Sequence, residues 1–244
     1  MSGGGGEYIH PAEYPSLSEQ EAEVVRKIHD FTERYFQDPR FDASHDFGHV
    51  KRVVNNALSI LTVEEDDRKR RAMPALNPMN VILGALLHDV EDKKYMAPTT
   101  ESSSSLLSSS SSSSPLIKAI VEAGMSVDYA EQMRVLVEGV SYSSEVKNPQ
   151  RVLDLLEVLP ELAIVQDADR LDAIGAIGIG RCFTFGGAKG ARTLEDSIEH
   201  FHDKLLKLES MMKTPAGKQL AAERSRRIRE FVDWWKDEVG QTGA

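Results

Sequence analysis

Apolar residues recur at intervals of three and four along almost the whole chain, and this spacing is the strongest constraint on its fold. In the first such stretch, one face of a helix with about 3.6 residues per turn would carry Val24, Val25, Ile28, Phe31 and Tyr35. No segment alternates convincingly between apolar and polar residues, so we expect an all-α fold. The predicted helices cover residues 16–37, 115–124, 127–140, 149–158, 161–177, 193–213 and 215–238, and two more begin near Asp46 and Pro78.

The composition is that of a globular protein with an acidic surface. Among 244 residues, 41% are hydrophobic and 28% are charged, and the formal net charge is -10. A chain this acidic is a poor candidate for nucleic-acid binding, which needs a basic face. A small phosphorylated substrate is not excluded, because a local pocket can be basic within an acidic chain.

The single cysteine and the longest apolar run bear on location. Cys182 has no second cysteine with which to form an intramolecular disulfide, which points to a reducing compartment. The run from Val81 to Leu87 is too short to cross a bilayer, and the first residues lack the apolar core of a secretory signal. We therefore expect a cytoplasmic protein, with the nucleus not excluded, and no membrane partner.

Four residues spread over about half the chain carry its most distinctive chemistry. His49 closes the segment SHDFGH, His88 and Asp89 are adjacent, and Asp169 lies in VQDAD. Two imidazoles and two carboxylates can bind one divalent cation and leave positions open for water. Structural sites are usually closed by thiolates or further histidines, so this set predicts a catalytic metal site.

Together with their neighbours, these residues resemble the HD-domain metal-dependent phosphohydrolase superfamily. The resemblance covers nearly all of residues 20–240 and is carried by SHDFGHVKRV, LLHDVEDKKY, GVSYSSE, VQDADRLDAIGAIGIGR and HFHDKLLKLESMMKT. These segments look like a subgroup of small HD hydrolases that includes nucleotide pyrophosphohydrolases. The resemblance implies a single HD-domain helical bundle in which His49, His88, Asp89 and Asp169 bind one divalent metal ion. Mn2+ is favoured, and Mg2+, Fe2+, Co2+, Ni2+ or Zn2+ also suits mixed nitrogen and oxygen ligands.

A second carboxylate, Asp167, lies two residues before Asp169. The resemblance implies Asp169 as the ligand, because the aspartate of the family precedes an Arg-Leu or similar pair. On a helix Asp167 would point elsewhere, so we expect it to cap a helix or to support a histidine that binds the metal.

A serine-rich stretch over residues 101–114 interrupts the helical pattern. It cannot bury enough apolar surface to offset its ordering entropy, so we expect a disordered insertion in a surface loop. The candidate ligands lie on both sides of this stretch, which argues against a domain boundary there. We expect a disordered Gly- and Pro-rich tail over residues 1–15 and one domain over residues 16–240.

Residues 174–190 are rich in glycine. Their spacing does not match the dinucleotide-binding fingerprint and no predicted strand precedes them, so a Rossmann site is rejected. We expect these glycines to allow close helix approach, and the segment FGGAKG to form a flexible rim.

A bound divalent ion would lower the pKa of a water toward about 7, and the resulting hydroxide could attack phosphorus without a protein nucleophile. The resemblance places Asp92, one helical turn after His88, where some relatives carry an acidic residue that orients or deprotonates this water. Glu91 is the rival catalytic residue. The candidates for holding substrate phosphates are Arg52, Lys94 and Arg170.

The predicted function is hydrolysis of a nucleotide or similar small phosphate. A pyrophosphohydrolase, a nucleotidase and a cyclic-nucleotide phosphodiesterase are the open reactions. The last commonly uses a second metal, for which no histidine lies between His88 and Asp169. The alternatives outside catalysis are an HD-like module that senses a nucleotide or protein and a helical scaffold with a structural metal. A monomer and a homodimer are both compatible with the sequence.

Overall fold

The computed structural model describes residues 8–41, 45–91, 114–189 and 192–240. Within these ranges every regular element is helical and no strand occurs, which confirms the predicted all-α class. None of the described helices has the length and hydropathy that a bilayer crossing requires. Residues 1–7 of the predicted disordered tail and residues 101–113 of the predicted insertion lie outside the described residues. Residues 8–15 of the tail are described and include a 3-10 segment that packs on the first helix, so the prediction of disorder is wrong for them.

Several of the described helices begin after a residue whose side chain caps them. In chain order the helices are α1 (Glu19–Tyr35), α2 (Phe47–Arg70), α3 (Pro78–Leu87), α4 (Pro115–Glu122), α5 (Val127–Val140), α6 (Tyr142–Lys147), α7 (Pro149–Val158), α8 (Glu161–Asp172), α9 (Gly175–Lys189), α10 (Leu194–Asp203) and α11 (Pro215–Gly240). The Ser18 side chain caps α1 in a reciprocal capping box with Glu21. Short 3-10 segments lie at Pro11–Glu13 and Leu205–Met211.

The described residues form two compact units, each discontinuous in sequence. The first comprises the described residues of 8–41 and 77–162. Its core is α3, an apolar helix in which every residue from Met79 to Leu87 is buried. Helices α1 and α5 pack against α3, and α4 packs against both of them. Helix α3 is therefore packed against more than one neighbouring helix.

The second unit comprises the described residues of 45–76 and 163–240. The last helix, α11, packs against α2 and α9, and α9 also packs against α10. Part of this core is an aromatic cluster of Phe183, Phe201, Phe231 and Trp235. The unit holds the first turn of α2 and the last turns of α8, where predicted site residues lie. That residues 16–240 form one domain stays a prediction.

Two long predicted helices are interrupted in the structure. The helix predicted over residues 161–177 ends earlier than expected, because α8 ends at Asp172. The next helix, α9, starts at Gly175, whose φ is 73°. That backbone conformation is open to glycine and strained for other residues, so the chain can change direction there. The glycine-rich stretch is helical through Lys189, so the expected rim is helical in its described part. The predicted helix over 193–213 ends at Asp203 and continues as a 3-10 segment.

The last residue described before the serine-rich stretch is bonded to the first residue described after it. Glu91 has a φ of 72°, and its carboxylate accepts a 2.6 Å hydrogen bond from the Ser114 hydroxyl. The same oxygen accepts from the Leu116 backbone at 3.0 Å. Glu91 and Ser114 both lie in the first unit. The two flanks of the insertion are therefore anchored to each other.

Candidate metal centre

His49 and Asp169 form a pair in the second unit. Asp46 caps α2 by accepting from the His49 backbone at 3.0 Å, which fixes His49 in the first helical turn. The His49 side chain is almost fully buried, and its Nε2 lies 3.6 Å from Oδ1 of Asp169 on α8. The Asp169 side chain keeps 30% of its surface exposed. A buried imidazole thus faces a carboxylate that solvent reaches.

The other nitrogen of His49 is held by Asp172, which sequence analysis missed. His49 Nδ1 donates to Asp172 Oδ2 at 2.7 Å, and Arg52 and Arg181 donate to the same buried carboxylate. Burial alone would raise the pKa of the Asp172 carboxyl, but the hydrogen bonds from His49 and Arg52 and the charge of Arg181 hold it well below its usual range. Asp172 follows Asp169 by three residues, a spacing that places both on one helix face but does not show that Asp172 meets His49.

His88 and Asp89 form a similar pair in the first unit. The predicted position of Asp92 one helical turn after His88 assumes that the helix continues through the doublet. Helix α3 instead ends at Leu87, and His88 and Asp89 lie in the turn that follows it. His88 Nδ1 donates to the Ala85 carbonyl at 2.9 Å, and His88 Nε2 lies 3.4 Å from Asp89 Oδ2. The histidine is buried and the carboxylate is 18% exposed.

Both pairs have donor atoms suited to a divalent cation. The Nδ1 atoms of His49 and His88 face oxygens that only accept, so in the neutral rings Nδ1 carries the proton and Nε2 the lone pair. Two ligands about 2.1 Å from one ion lie roughly 3.0–3.4 Å apart at octahedral or tetrahedral angles. The nitrogen–oxygen separations of 3.6 and 3.4 Å are close to that range. The residues of each pair therefore fit a divalent cation.

Asp167 is a helix cap and supports no histidine in the bonds found for it. Its carboxylate accepts from the backbone of Lys213 at 2.8 Å and from the backbone and hydroxyl of Thr214 at 2.7 and 2.8 Å, just before α11 begins. Burial raises the pKa of the Asp167 carboxyl, although these hydrogen bonds and the charge of Arg170 oppose that rise. Asp167 therefore bonds the two residues that precede α11, not the start of its own helix. The carboxylate that bonds the candidate ligand His49 is Asp172.

The remaining predicted residues differ in their placement. Arg52 donates to Asp172 at 2.7 and 3.1 Å and keeps 36% of its side chain exposed. Arg170 is buried and donates to the Met211 carbonyl, which favours a structural role over phosphate binding. Glu91 anchors the start of α4, as described above. Asp92 and Lys94 lie outside the described residues.

Comparison with known proteins places the chain in a family. No family model matches it. It is 34% identical over 193 residues to the uncharacterized protein YpgQ of Bacillus subtilis, an alignment covering 78% of this chain and 82% of YpgQ. The crystal structure of an HD-superfamily hydrolase from Bacillus thuringiensis matches 91% of the chain and 98% of its own length, with 28% identity and a TM-score of 0.53. The chain belongs to the HD superfamily.

Other solved structures extend the likeness over nearly the same length. The structure of YpgQ in complex with ADP matches 90% of this HD-superfamily chain and 96% of its own, with 26% identity and a TM-score of 0.62. A Lactobacillus plantarum protein matches 92% and 99%, with 26% identity and a TM-score of 0.68. The predicted HD-domain helical fold is confirmed. Membership supports a general HD hydrolase, a class that typically binds divalent metals.

Proposed function

We propose that the protein is a metal-dependent phosphohydrolase that acts on a nucleotide. The observation that carries the proposal is the arrangement of the two histidines. In each, Nδ1 is fixed on an acceptor and Nε2 lies within 3.6 Å of a partly exposed carboxylate. A structural site would bury its ligands and close the coordination shell, whereas these carboxylates reach solvent.

The proposed site is a single divalent ion held by His49, His88, Asp89 and Asp169. The support is the family motif order together with the donor chemistry of each pair. Four nitrogen and oxygen ligands suit Mn2+, which we favour, and also Mg2+, Fe2+, Co2+, Ni2+ or Zn2+. They leave coordination positions for water and substrate.

His49, His88, Asp89 and Asp169 would hold the ion, which when bound would make a water more acidic and polarise a phosphoryl oxygen. Arg52 binds a substrate phosphate, because its guanidinium is fixed by Asp172 and still reaches solvent. Asp92 is the proposed proton acceptor for the attacking water. Glu91 is a weaker candidate, since its carboxylate already bonds Ser114 and Leu116.

The proposed substrate class is a nucleoside di- or triphosphate in a cytoplasmic setting. The complex of the relative YpgQ with ADP supports a nucleotide ligand of this size. The net charge of -10 disfavours long nucleic acids, which bind through a basic face. A monomer or homodimer would serve this function equally.

The test is a product assay over a nucleotide panel with Mn2+ or Mg2+. Pyrophosphate release identifies a pyrophosphohydrolase, and orthophosphate release identifies a nucleotidase. We expect Asp89→Ala to lower turnover by on the order of 100-fold or more. Asp154→Ala, which removes an exposed carboxylate on α7, should leave the rate unchanged. Nucleotide binding without turnover in the metal-loaded protein would instead identify a sensor module.

A further inference from the structure

The Asp172 carboxylate lies among the predicted site residues and accepts hydrogen bonds from side chains of two other helices. It is buried at the end of α8 and receives hydrogen bonds from three side chains: His49, Arg52 and Arg181. Placing a charge there would be costly without such partners. All four residues belong to the second unit, so the arrangement stands within one compact part of the chain.

We propose that Asp172 is a positioning residue that orients both His49 toward the metal and Arg52 toward the substrate phosphate. The roles of His49 and Arg52 rest on the proposed function. The contact of each with Asp172 does not depend on it.

The bond to His49 sets both its tautomer and its ring orientation. Because a carboxylate only accepts, His49 must place its proton on Nδ1, which leaves the lone pair on Nε2. The same bond opposes rotation of the ring, so Nε2 stays 3.6 Å from Asp169 Oδ1. A carboxylate behind a metal-binding histidine also makes that histidine a stronger ligand.

The bonds to Arg52 fix a guanidinium that would otherwise sample several rotamers. Arg52 follows His49 by three residues on α2, and it donates to both oxygens of Asp172. This two-point contact holds the plane of the guanidinium while 36% of the side chain remains exposed. Because Asp172 already holds the Arg52 guanidinium, a phosphate that binds there would not have to immobilise the side chain, and the entropy cost of binding would be smaller.

Arg181 is the second arginine that donates to the Asp172 carboxylate. Its side chain is 14% exposed and donates to Asp172 at 2.9 Å. Arg52 and Arg181 together carry one more charge than Asp172, and the Asp169 carboxylate lies 3.6 Å from the other nitrogen of His49. The two guanidinium groups therefore offset the charge of the buried Asp172.

The first test is Asp172→Asn, which keeps the shape but offers an amide that can donate to His49. We expect the Kd for Mn2+, measured by calorimetry, to rise about 10- to 100-fold and KM to rise with it. The matched control is Asp167→Asn, which alters another buried aspartate of α8 that caps α11. This control should lower the midpoint of unfolding and leave the Kd for Mn2+ unchanged.

The second test separates the effect of Asp172 on His49 from its effect on Arg52. Arg52→Gln should raise KM while the Kd for Mn2+ stays within about twofold of the wild-type value, since it leaves the His49 bond in place. In Asp172→Asn, folded as judged by circular dichroism, an unchanged Kd for Mn2+ would overturn the proposal. The Kd measurements, unlike KM, need no turnover, so they separate the orientation of His49 by Asp172 from the hydrolase proposal.

A third test needs no variant and covers the case in which Asp172→Asn fails to fold. Nitrogen-15 NMR of the metal-free wild-type protein reports which ring nitrogen of His49 carries the proton. The Nδ1-protonated tautomer is expected. The opposite tautomer would show that Asp172 does not set the orientation of the ligand.

Discussion

At the scale of single residues, His49 and His88 have the same surroundings. In each ring Nδ1 donates to a fixed acceptor and Nε2 lies near a carboxylate. The motifs identified both histidines because a His-Asp doublet and its flanking residues stand out in a sequence. They did not identify Asp172, because its bond to His49 joins residues 123 positions apart. Helical spacing shows which residues share a face, and it does not show which side chain on another helix they meet.

Gly217 offers a test of the cap formed by Asp167. A Cβ at this position would lie 2.3 Å from Asp167 Oδ2 and 2.9 Å from Thr214 Oγ1. The carboxylate cannot retreat without losing the bonds that hold the start of α11. We expect Gly217→Ala to lower the free energy of unfolding by about 1–3 kcal/mol, measured by urea denaturation.

The matched control for Gly217 is Gly180, which is exposed in the interior of α9. A Cβ there would meet no atom within 4 Å. Gly180→Ala should stabilise the protein by about 0.5–1 kcal/mol, because alanine is the better helix residue. Equal effects of the two substitutions would show that the carboxylate of Asp167 is not fixed as described.

At the scale of elements, strong helical periodicity allowed accurate prediction. The predicted bounds of α5 and α7 agree with the structure, since apolar residues at helical spacing are flanked there by capping residues. The break before α9 was not predicted. It depends on the positive φ of Gly175, and the sequence does not reveal which glycine of a rich stretch adopts one.

The N-terminal segment that packs on α1 should be sensitive to mild acid. His29 on α1 bonds the Tyr8 hydroxyl at 3.0 Å, and the His10 ring lies 4.3 Å from its own. Burial, and then the charge of His10, lower the pKa of His29, against opposing effects of Glu33 and Asp30. In the unfolded chain His29 has the ordinary histidine pKa of about 6.5, so below about pH 6.5 the unfolded state binds more protons than the folded state. The free energy of unfolding therefore decreases as pH falls through this range.

The measurement is the free energy of unfolding of wild type and His29→Gln at pH 7.5 and pH 5.5. The loss between the two pH values should be smaller in the variant, because one depressed histidine has been removed. His202→Gln, which removes an exposed histidine of α10, serves as the control and should keep the wild-type loss. An identical pH dependence in His29→Gln and wild type would contradict this role of His29.

At the scale of the whole molecule, the described chain forms two compact units, and successive stretches of the sequence belong alternately to one unit and the other. Residues 77–162 belong with the N-terminal helix, and residues 45–76 belong with the C-terminal half. The sequence predicted the helical class and the HD family, which the structure and the relatives confirm. It did not reveal this division, because periodicity carries no information about which distant helices pack together.

We propose, from the family motif and the donor atoms, that His49, His88, Asp89 and Asp169 bind a single cation. The direct measurement is the number of Mn2+ equivalents retained after equilibrium dialysis by wild type, Asp89→Ala and Asp169→Ala. One ion shared by both pairs predicts one equivalent in wild type and its loss in each variant alone. Two equivalents in wild type, with one retained in each variant, would show separate sites and contradict the claim.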